Sequence, residues 1–242
     1  MININKRLDD KRVKKVLVFD TETTPLKKME KGEGFDRDQV VFDLGYIIAD
    51  KKGNKIIKKS YLVDEIFTNT ELMKNAYFWS KYPDYLRGIG EGKFIIKKWL
   101  DILVELQGFI EKYNITEVYA YNVAFDMEML GRTNKHLRGR KFGLFDDMSV
   151  NCLWGMSAET ICQQKTFKRV IRERGILTAS KKYLSTNAET VYKYITNNWE
   201  FEESHTGIDD VEIEVEILAH CFKQHKKMSK GIIANPFNLA KI

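Results

Sequence analysis

The 242-residue chain is poor in the features that mark several protein classes, with only 3 prolines and 3 cysteines. Cys152, Cys162 and Cys221 are odd in number and form no CxxC pair, which argues against a disulfide scaffold or a zinc finger. Apolar runs such as residues 16–19 stay far below the ~20 residues that span a bilayer. The basic N-terminus lacks the apolar core of a secretory signal. We therefore expect reduced thiols, no membrane association and a cytoplasmic location.

What the chain does contain is typical of a globular protein. Hydrophobic residues make up 43% and charged residues 31% of the sequence, too apolar a composition for disorder. A chain of this length can bury roughly 70–75% of its unfolded surface, so one domain with insertions is the natural prediction. The formal net charge of +6 is a mild excess that favours a polyanionic partner such as nucleic acid.

The first third of the chain is rich in strand patterns. Residues 15–20 form a short apolar run that predicts a buried strand. Residues 42–50 and 55–63 flank the turn-forming residues 51–54, which predicts a β-hairpin. Residues 64–93 are aromatic and are interrupted by proline and glycines, so we expect an irregular insertion with room for a short helix.

Helices and strands then alternate, which predicts an α/β fold with a mixed sheet covered by helices on its faces. Three-four spacing of apolar residues indicates amphipathic helices near both ends of this region. The expected elements are a helix at 94–113, a strand at 117–121, a helix opening at 124–130, a basic loop at 135–141, a strand at 141–146, mostly helix at 151–200 with a basic patch at 165–175, and a long helix at 206–225.

Two acids mark the end of the first strand. Asp20 and Glu22 lie two residues apart, and the side-chain period of a strand is two, so both carboxylates project from one face. Adjacent anions repel unless something positive neutralises them, and divalent Mg²⁺ or Mn²⁺ prefers such oxygen ligands. The alternative is an exposed strand end with solvated acids.

Further acids and a histidine accompany predicted helix starts. Asp126 falls where a helix begins, where a carboxylate also stabilises the helix dipole. His205 precedes Asp210 by five residues, which would place them about 140° apart on one helix, so we expect His205 on a mobile loop and Asp210 on the helix. Asp209 and Asp210 both fall opposite the apolar stripe, and the helical pattern does not separate them.

Taken together, these segments resemble the DEDDh group of 3′→5′ exonucleases, which includes polymerase proofreading subunits, ribonuclease T and oligoribonuclease. The resemblance covers residues 16–225. Its motifs are D-x-E-T at Asp20-Thr21-Glu22-Thr23, a segment leading to F-D at residues 122–126, and H-x-A-x-x-D-A at His205, Gly207, Asp210 and Val211. Gly207 and Val211 stand where the family usually has alanines, which questions the packing of the third motif more than its chemistry. The family spacing from His205 selects Asp210 over Asp209.

The resemblance implies a ribonuclease H-like mixed β-sheet flanked by α-helices. It implies one exonuclease domain over residues 1–242, with a core at about 13–226, insertions at about 64–93 and 131–185, and a tail at 227–242.

By the same resemblance, Asp20, Glu22, Asp126 and Asp210 hold two divalent ions, Mg²⁺ or Mn²⁺, and His205 accepts a proton from the attacking water. All five count as catalytic residues. Thr21, Thr23, Asn122 and Phe125 are the expected substrate contacts.

The implied reaction releases nucleoside 5′-monophosphates, one at a time, from the 3′ end of a single strand. Base stacking and phosphate contacts would hold that strand. Phe125, Tyr77, Phe78 and Trp79 are the candidate stackers, although core packing is the expected fate of at least two of the last three. The basic runs at 135–141 and 165–174 are candidate phosphate contacts or simply solvated faces.

Three alternatives remain open at this point. We favour DNA as the substrate, but no residue in the sequence is identified as reading the 2′-hydroxyl of RNA. An exoribonuclease that trims short RNA or RNA 3′ ends is therefore the first alternative. A non-catalytic nucleic-acid-binding or protein-binding relative is the second, although none of the five catalytic residues is missing. The third is a subunit tethered to a DNA polymerase or another replication or recombination protein, motivated by apolar Ile232, Ile233, Phe237 and Leu239 in the tail.

Overall fold

A mixed sheet of six strands organises the computed structural model, which describes residues 13–27, 38–232 and 236–240. The strand order is β4-β3-β2-β1-β5-β6. The strands are β1 (Lys15–Pro25), β2 (Gln39–Asp50), β3 (Lys55–Val63), β4 (Ile95–Lys97), β5 (Glu117–Ala120) and β6 (Ser149–Cys152).

Antiparallel and parallel pairs share this sheet. β1–β2 and β2–β3 are antiparallel, so the predicted hairpin across residues 51–54 is confirmed. β1–β5, β5–β6 and β3–β4 are parallel, and long crossovers containing helices connect the parallel neighbours. All 12 residues of β2 are buried, because β2 lies inside the sheet and is covered on both faces.

Helices cover the two faces of the sheet, so the predicted α/β architecture of a mixed sheet flanked by helices is confirmed. They are α1 (Asp64–Phe67), α2 (Thr70–Met73), α3 (Tyr82–Gly90), α4 (Trp99–Tyr113), α5 (Val123–Arg138), α6 (Leu153–Thr160), α7 (Lys165–Glu173), α8 (Ala188–Thr196) and α9 (Gly207–Lys223), with 3₁₀ turns at Trp79–Lys81 and Pro236–Leu239. α9 contacts β1, β2 and β3 and packs beside α6 and α8.

The predicted helix at 94–113 was wrong at its start. Ile95–Lys97 pairs with β3 as the edge strand β4, and the helix begins at Trp99. Three residues are too few for the alternation of a strand to stand out against a following amphipathic helix. Trp99 is buried and its indole N–H donates to Asn134 Oδ1 at 3.0 Å, which fixes the first turn of α4 in the core.

The region after α5 also differs from the prediction. α5 continues to Arg138 and ends at Gly139 in the left-handed conformation (φ 64°), so only the second half of the basic run at 135–141 is a loop. Residues 141–146 form turns instead of the predicted strand, and the strand of this region is β6. Phe145 supplies the reason, because it is 2% exposed and packs on Phe19 at 5.3 Å between ring centroids. Phe145 is apolar because it is buried in the core, although it lies in a turn and not in a strand.

The first insertion is more ordered than we expected. Residues 64–93 hold α1, α2, a 3₁₀ turn and α3. Phe67 and Tyr85 from this insertion pack against Phe42 of β2, with ring centroids 6.5 and 5.6 Å away. The insertion is therefore attached to the sheet by aromatic contacts.

Parts of the tail and the basic N-terminus lie outside the described residues, namely residues 1–12, Ile233 and the Phe237 side chain. Within the described tail, Ala240 is buried and its carbonyl accepts from Leu184 N–H at 3.0 Å.

Among the helices that the structure describes, none has the length and hydropathy needed to cross a membrane. The three cysteines are buried and unpaired.

Candidate active site

Three carboxylates from two distant parts of the chain meet beside the sheet. Asp20 and Glu22 project from β1, opposite Gly45 and Asp43 of β2. α9 brings Asp210 to them, so that one oxygen from each of Asp20, Glu22 and Asp210 lies within 4.8 Å of the other two. The period-two spacing in β1 and the first turn of α9 thus produce one acidic cluster.

Asp126 lies next to this cluster without belonging to the close trio. It occupies the first turn of α5, is 3% exposed, and accepts a hydrogen bond from Thr21 Oγ1 at 2.8 Å. Burial is the largest cause of the raised pKa of Asp20, and the negative charge of Asp126 is the next largest. The structure therefore places all four predicted metal-binding acids in one electrostatic environment.

Burial and mutual repulsion make these acids weak. Burial raises the pKa of Asp126 to about 7, although the hydrogen bond from Thr21 opposes this rise. Burial, followed by the charges of Glu203 and Asp209, raises the pKa of Asp210 to about 8. The pKa of Glu22 is also raised by burial and by Asp210, while Lys81 lowers it. Protons or cations must neutralise such a cluster at neutral pH.

Two buried acids at the site were not predicted from the sequence. Glu214 is 2% exposed, accepts from Tyr121 N–H at 3.2 Å, and leaves Oε2 without a hydrogen-bond partner. Burial and the charges of Asp126 and Asp210 raise its pKa well above the usual range. The signal was its position one helical turn after Asp210, on the same face of α9.

Asp43 is the second unpredicted acid, and it holds α9 against the sheet. It is fully buried and accepts from Gly207 N–H and Tyr85 Oη–H, each at 2.9 Å, and from Ser60 Oγ at 3.2 Å. Burial raises its pKa to about 6, and these hydrogen bonds limit the rise. The available signal was an aspartate between the apolar residues Phe42 and Leu44 of the strand. Asp43 supplies a negative charge to the first residue of α9.

The backbones of β2 and α9 are in close contact at two glycines. A Cβ on Gly207 would lie 2.8 Å from the Gly45 nitrogen, and a Cβ on Gly45 would lie 2.2 Å from the Gly207 carbonyl carbon. Both obstacles are backbone atoms, which cannot rotate away. The contact of the two backbones therefore requires glycine at position 207.

His205 lies on the segment just before α9, as the spacing predicted, but its backbone is held in the left-handed conformation (φ 51°). The imidazole stacks on the ring of Phe78, with centroids 4.4 Å apart and planes tilted by 11°. Its Nδ1 lies 3.9 Å from Glu203 Oε2. Burial and the neighbouring Lys81 lower the pKa of His205, which favours the neutral imidazole that can accept a proton.

Asp209 takes a different role from its neighbour Asp210. Its carboxylate pairs with Lys93 at 2.6 Å and accepts from Ser204 Oγ and Thr206 Oγ1 at 2.8 and 2.9 Å. These contacts brace the segment that carries His205. Asp210, the acid that the family spacing selects, is only 9% exposed, whereas Asp209 makes an ion pair with Lys93.

The four predicted substrate contacts differ in how free their side chains are to bind a ligand. The Thr21 hydroxyl is committed to Asp126, and Thr23 Oγ1 donates to Gln39 Oε1 at 2.6 Å. Asn122 is exposed, and its carbonyl accepts from the N–H of half-buried Phe125 at 2.8 Å. Asn122 and Phe125 are therefore the freer pair for contact with a ligand.

Core packing was the wrong expectation for at least two of the three insertion aromatics. Tyr77 is 84% exposed, and Phe78 is half-buried beside His205. Only Trp79 packs against the core, stacking on Tyr82 at 4.6 Å.

The donor set fits hard divalent cations. It consists of carboxylate oxygens, the ligands that Mg²⁺ and Mn²⁺ prefer. Asp210 Oδ1 is buried without a hydrogen-bond partner, which is costly unless a cation or proton satisfies it. Asp20, Glu22 and Asp210 could hold such an ion directly. Asp126 lies close enough to Asp20 to interact with it electrostatically, so a cation bound there would also offset the charge of Asp126.

No protein-family model and no curated protein sequence matches the chain. Solved structures do match it, and the likeness is one of fold. A 3′-exonuclease described in 3′-end specific recognition of a histone mRNA stem-loop is 10% identical, with a TM-score of 0.57, over 90% of this chain and 85% of its own. A full-length 3′-exonuclease is also 10% identical, with a TM-score of 0.55, over 93% and 89%.

A third match is the zinc-bound E. coli ExoI–ssDNA complex, at 13% identity and a TM-score of 0.50. It covers 84% of this chain but only 39% of ExoI. Identities this low establish the fold alone.

Proposed function

We propose that this protein is a metal-dependent 3′→5′ exonuclease of the DEDDh type. The observation that carries the proposal is the acidic cluster, in which one carboxylate oxygen from each of Asp20, Glu22 and Asp210 lies within 4.8 Å of the other two. Asp20 and Asp210 are 190 positions apart in the chain. His205 lies two residues before the helix of Asp210, and its lowered pKa leaves a neutral imidazole as the candidate proton acceptor. Structures of the same fold belong to 3′-exonucleases, which supports the assignment of this geometry to cleavage at 3′ ends.

Each residue has a role in this mechanism. Asp20, Glu22, Asp126 and Asp210 would hold two divalent ions, Mg²⁺ or Mn²⁺. Bound ions of this kind activate water and stabilise the charge of an in-line phosphodiester displacement. His205 accepts the proton of the attacking water through its neutral imidazole. As the water oxygen bonds to phosphorus, the P–O3′ bond breaks. The 3′ oxygen of the shortened strand leaves and takes up a proton from solvent to become its 3′ hydroxyl, and the other product is a nucleoside 5′-monophosphate.

Asn122, Phe125, Thr21 and Thr23 complete the proposed substrate site. Phe125 offers a ring for stacking on the terminal base, since base–aromatic stacking tolerates any sequence. Asn122 is exposed beside it. Thr21 orients Asp126 through its hydroxyl, and Thr23 follows the bulge in β1 after Glu22.

A timed digestion of 5′-labelled oligonucleotides tests this function. With Mg²⁺ or Mn²⁺ we expect a ladder that shortens from the 3′ end, and no cleavage with a chelator. Asp20→Asn should lower the rate by at least ~10²-fold, because an ion at such a site supplies several kcal/mol. Asp101→Asn, an exposed acid in the first turn of α4, is the matched control and should cleave as the wild type does. Equal activity of Asp20→Asn and wild type would refute the site.

Single-stranded DNA is the substrate that we propose first, and RNA 3′ ends are the second candidate. One observation favours RNA. The match to the 3′-exonuclease described with a histone mRNA stem-loop extends over 85% of that protein, whereas the match to ExoI extends over only 39% of ExoI. Parallel digestion of DNA and RNA of one sequence separates the two, and faster trimming of RNA would reverse our order. A non-catalytic relative would cleave neither.

A proofreading or recombination partner, such as a DNA polymerase, is a further part of the proposal. Ile232 and Leu239 in the described tail are 61% and 39% exposed, as a docking segment requires. The described tail is also attached to the body, since Leu239 O accepts hydrogen bonds from Gln163 and Lys168.

A further inference from the structure

The left-handed backbone of His205 requires support from outside its own segment. A non-glycine residue with φ 51° lies in a sparsely populated and strained region of the backbone. Such a conformation persists only where the surroundings impose it. The contacts of this histidine therefore indicate what keeps it in place.

Residues 78–81 of the first insertion provide two of those contacts. Phe78 stacks on the imidazole nearly in parallel, at 4.4 Å between centroids. The Lys81 ammonium donates to the carbonyl oxygen of Ser204, the residue before His205. The same ammonium lies 5.0 Å above the centre of the Phe78 ring. One short segment therefore contacts both the side chain and the backbone of the His205 region.

We propose that Phe78 is a positioning residue for His205, and that the insertion at 64–93 is in this way part of the catalytic apparatus. The inference rests on the proposed function, because it assumes that His205 accepts the proton of the attacking water. Phe78 has no group that transfers a proton, so it acts through the imidazole. Its flat ring fixes the plane of the imidazole, and a proton acceptor displaced by about 1 Å can lose ~10²-fold in rate.

The competing role for Phe78 is stacking on the terminal base of the substrate. The ring already stacks on His205, and it makes a T-shaped contact with the Tyr77 ring at 4.8 Å between centroids. A base would have to compete with these contacts. The two roles also differ in kinetics, because loss of base stacking weakens binding and raises KM, whereas loss of positioning lowers kcat.

Steady-state digestion of a single-stranded oligonucleotide at saturating Mn²⁺ tests the inference. Phe78→Leu fills the volume without a flat ring, and we expect kcat to fall by ~10–100-fold with KM within ~2-fold of wild type. Phe78→Tyr keeps the ring and should restore kcat to within ~3-fold. Phe109→Leu removes a half-buried aromatic from α4, far from the acids, and is the matched control. Melting temperatures show whether each variant is folded.

A double-mutant comparison separates positioning from a general loss of structure. In a His205→Ala background, Phe78→Leu should change kcat by less than ~2-fold, since residues acting as one unit are not additive. An unchanged kcat in Phe78→Leu, a raised KM alone, or a full additional loss in the His205→Ala background would each overturn the inference. An inactive wild-type protein would instead refute the proposed function.

Discussion

Adjacent residues can have opposite environments, and Asp209 and Asp210 show how. Asp209 binds Lys93 and two hydroxyls, which together lower its pKa despite partial burial. Asp210 faces Asp20 and Glu22, and its pKa rises to about 8. One step along a helix turns a side chain by about 100°, enough to move it from an ion pair to the acidic cluster.

This difference gives a prediction at the residue scale. Asp210→Asn should lower the exonuclease rate by ~10²–10⁴-fold, because a ligand to a charge-stabilising ion is lost. Asp209→Asn should stay within ~3-fold of wild type, since an asparagine oxygen still accepts from Ser204 and Thr206. Initial rates on one labelled oligonucleotide measure both. A larger loss in Asp209→Asn than in Asp210→Asn would contradict the assignment.

The sequence was most informative where chemistry and local period coincide. The two-residue spacing predicted that Asp20 and Glu22 share a face, and they do. Helical position alone could not choose between Asp209 and Asp210, because their difference is a tertiary contact with β1. The stack of Phe78 on His205 was equally out of reach, since those residues are 127 positions apart and no local pattern links them.

At the scale of elements, the contact of β2 with the start of α9 determines where Asp210 lies. Gly45 and Gly207 allow the two backbones to touch, and Asp43 binds the first N–H of α9. The helix and the sheet were both predictable from periodicity. Their distance of approach was not, because a glycine in a pattern does not reveal which backbone it will meet.

Alanine at these glycines should therefore destabilise the protein. Gly207→Ala places Cβ 2.8 Å from a backbone nitrogen, and overpacking of this kind costs ~1–3 kcal/mol. Gly45→Ala, with Cβ at 2.2 Å, should cost more. Gly108→Ala is the control, because nothing lies within 4 Å and alanine favours a helix interior by ~0.5–1 kcal/mol. Chemical denaturation measures all three, and an unaltered Gly45→Ala protein would argue against this packing.

On the scale of the whole molecule, the cluster of weak acids couples stability to pH and to metal. In an unfolded chain an aspartate has a pKa near ~3.9. In the ion-free folded protein the pKa of Asp126 is about 7 and that of Asp210 about 8. The folded state thus binds more protons than the unfolded state between pH ~4 and ~8, so stability falls as the pH rises through this window.

The expected outcome is a lower melting temperature at pH 8 than at pH 6 in the presence of a chelator, by about 2–4 °C for each kcal/mol lost. Mn²⁺ should raise the melting temperature more at pH 8, where the ligands are ionised and bind the ion without releasing protons. Asp210→Asn should flatten the chelator curve, whereas Asp101→Asn should follow the wild type. A wild-type melting temperature that rises from pH 6 to pH 8 without metal would reverse the sign and contradict the raised pKa values.

The long separation of the three close acids has a consequence for biosynthesis. Asp20 and Glu22 are translated before Asp210, and the trio is complete only when α9 has been made. A nascent chain shorter than about 210 residues therefore lacks the third acid that the proposed chemistry requires. The proposed cleavage would therefore begin only after α9 has been translated, and a product that stops before α9 would leave the surrounding nucleic acids intact.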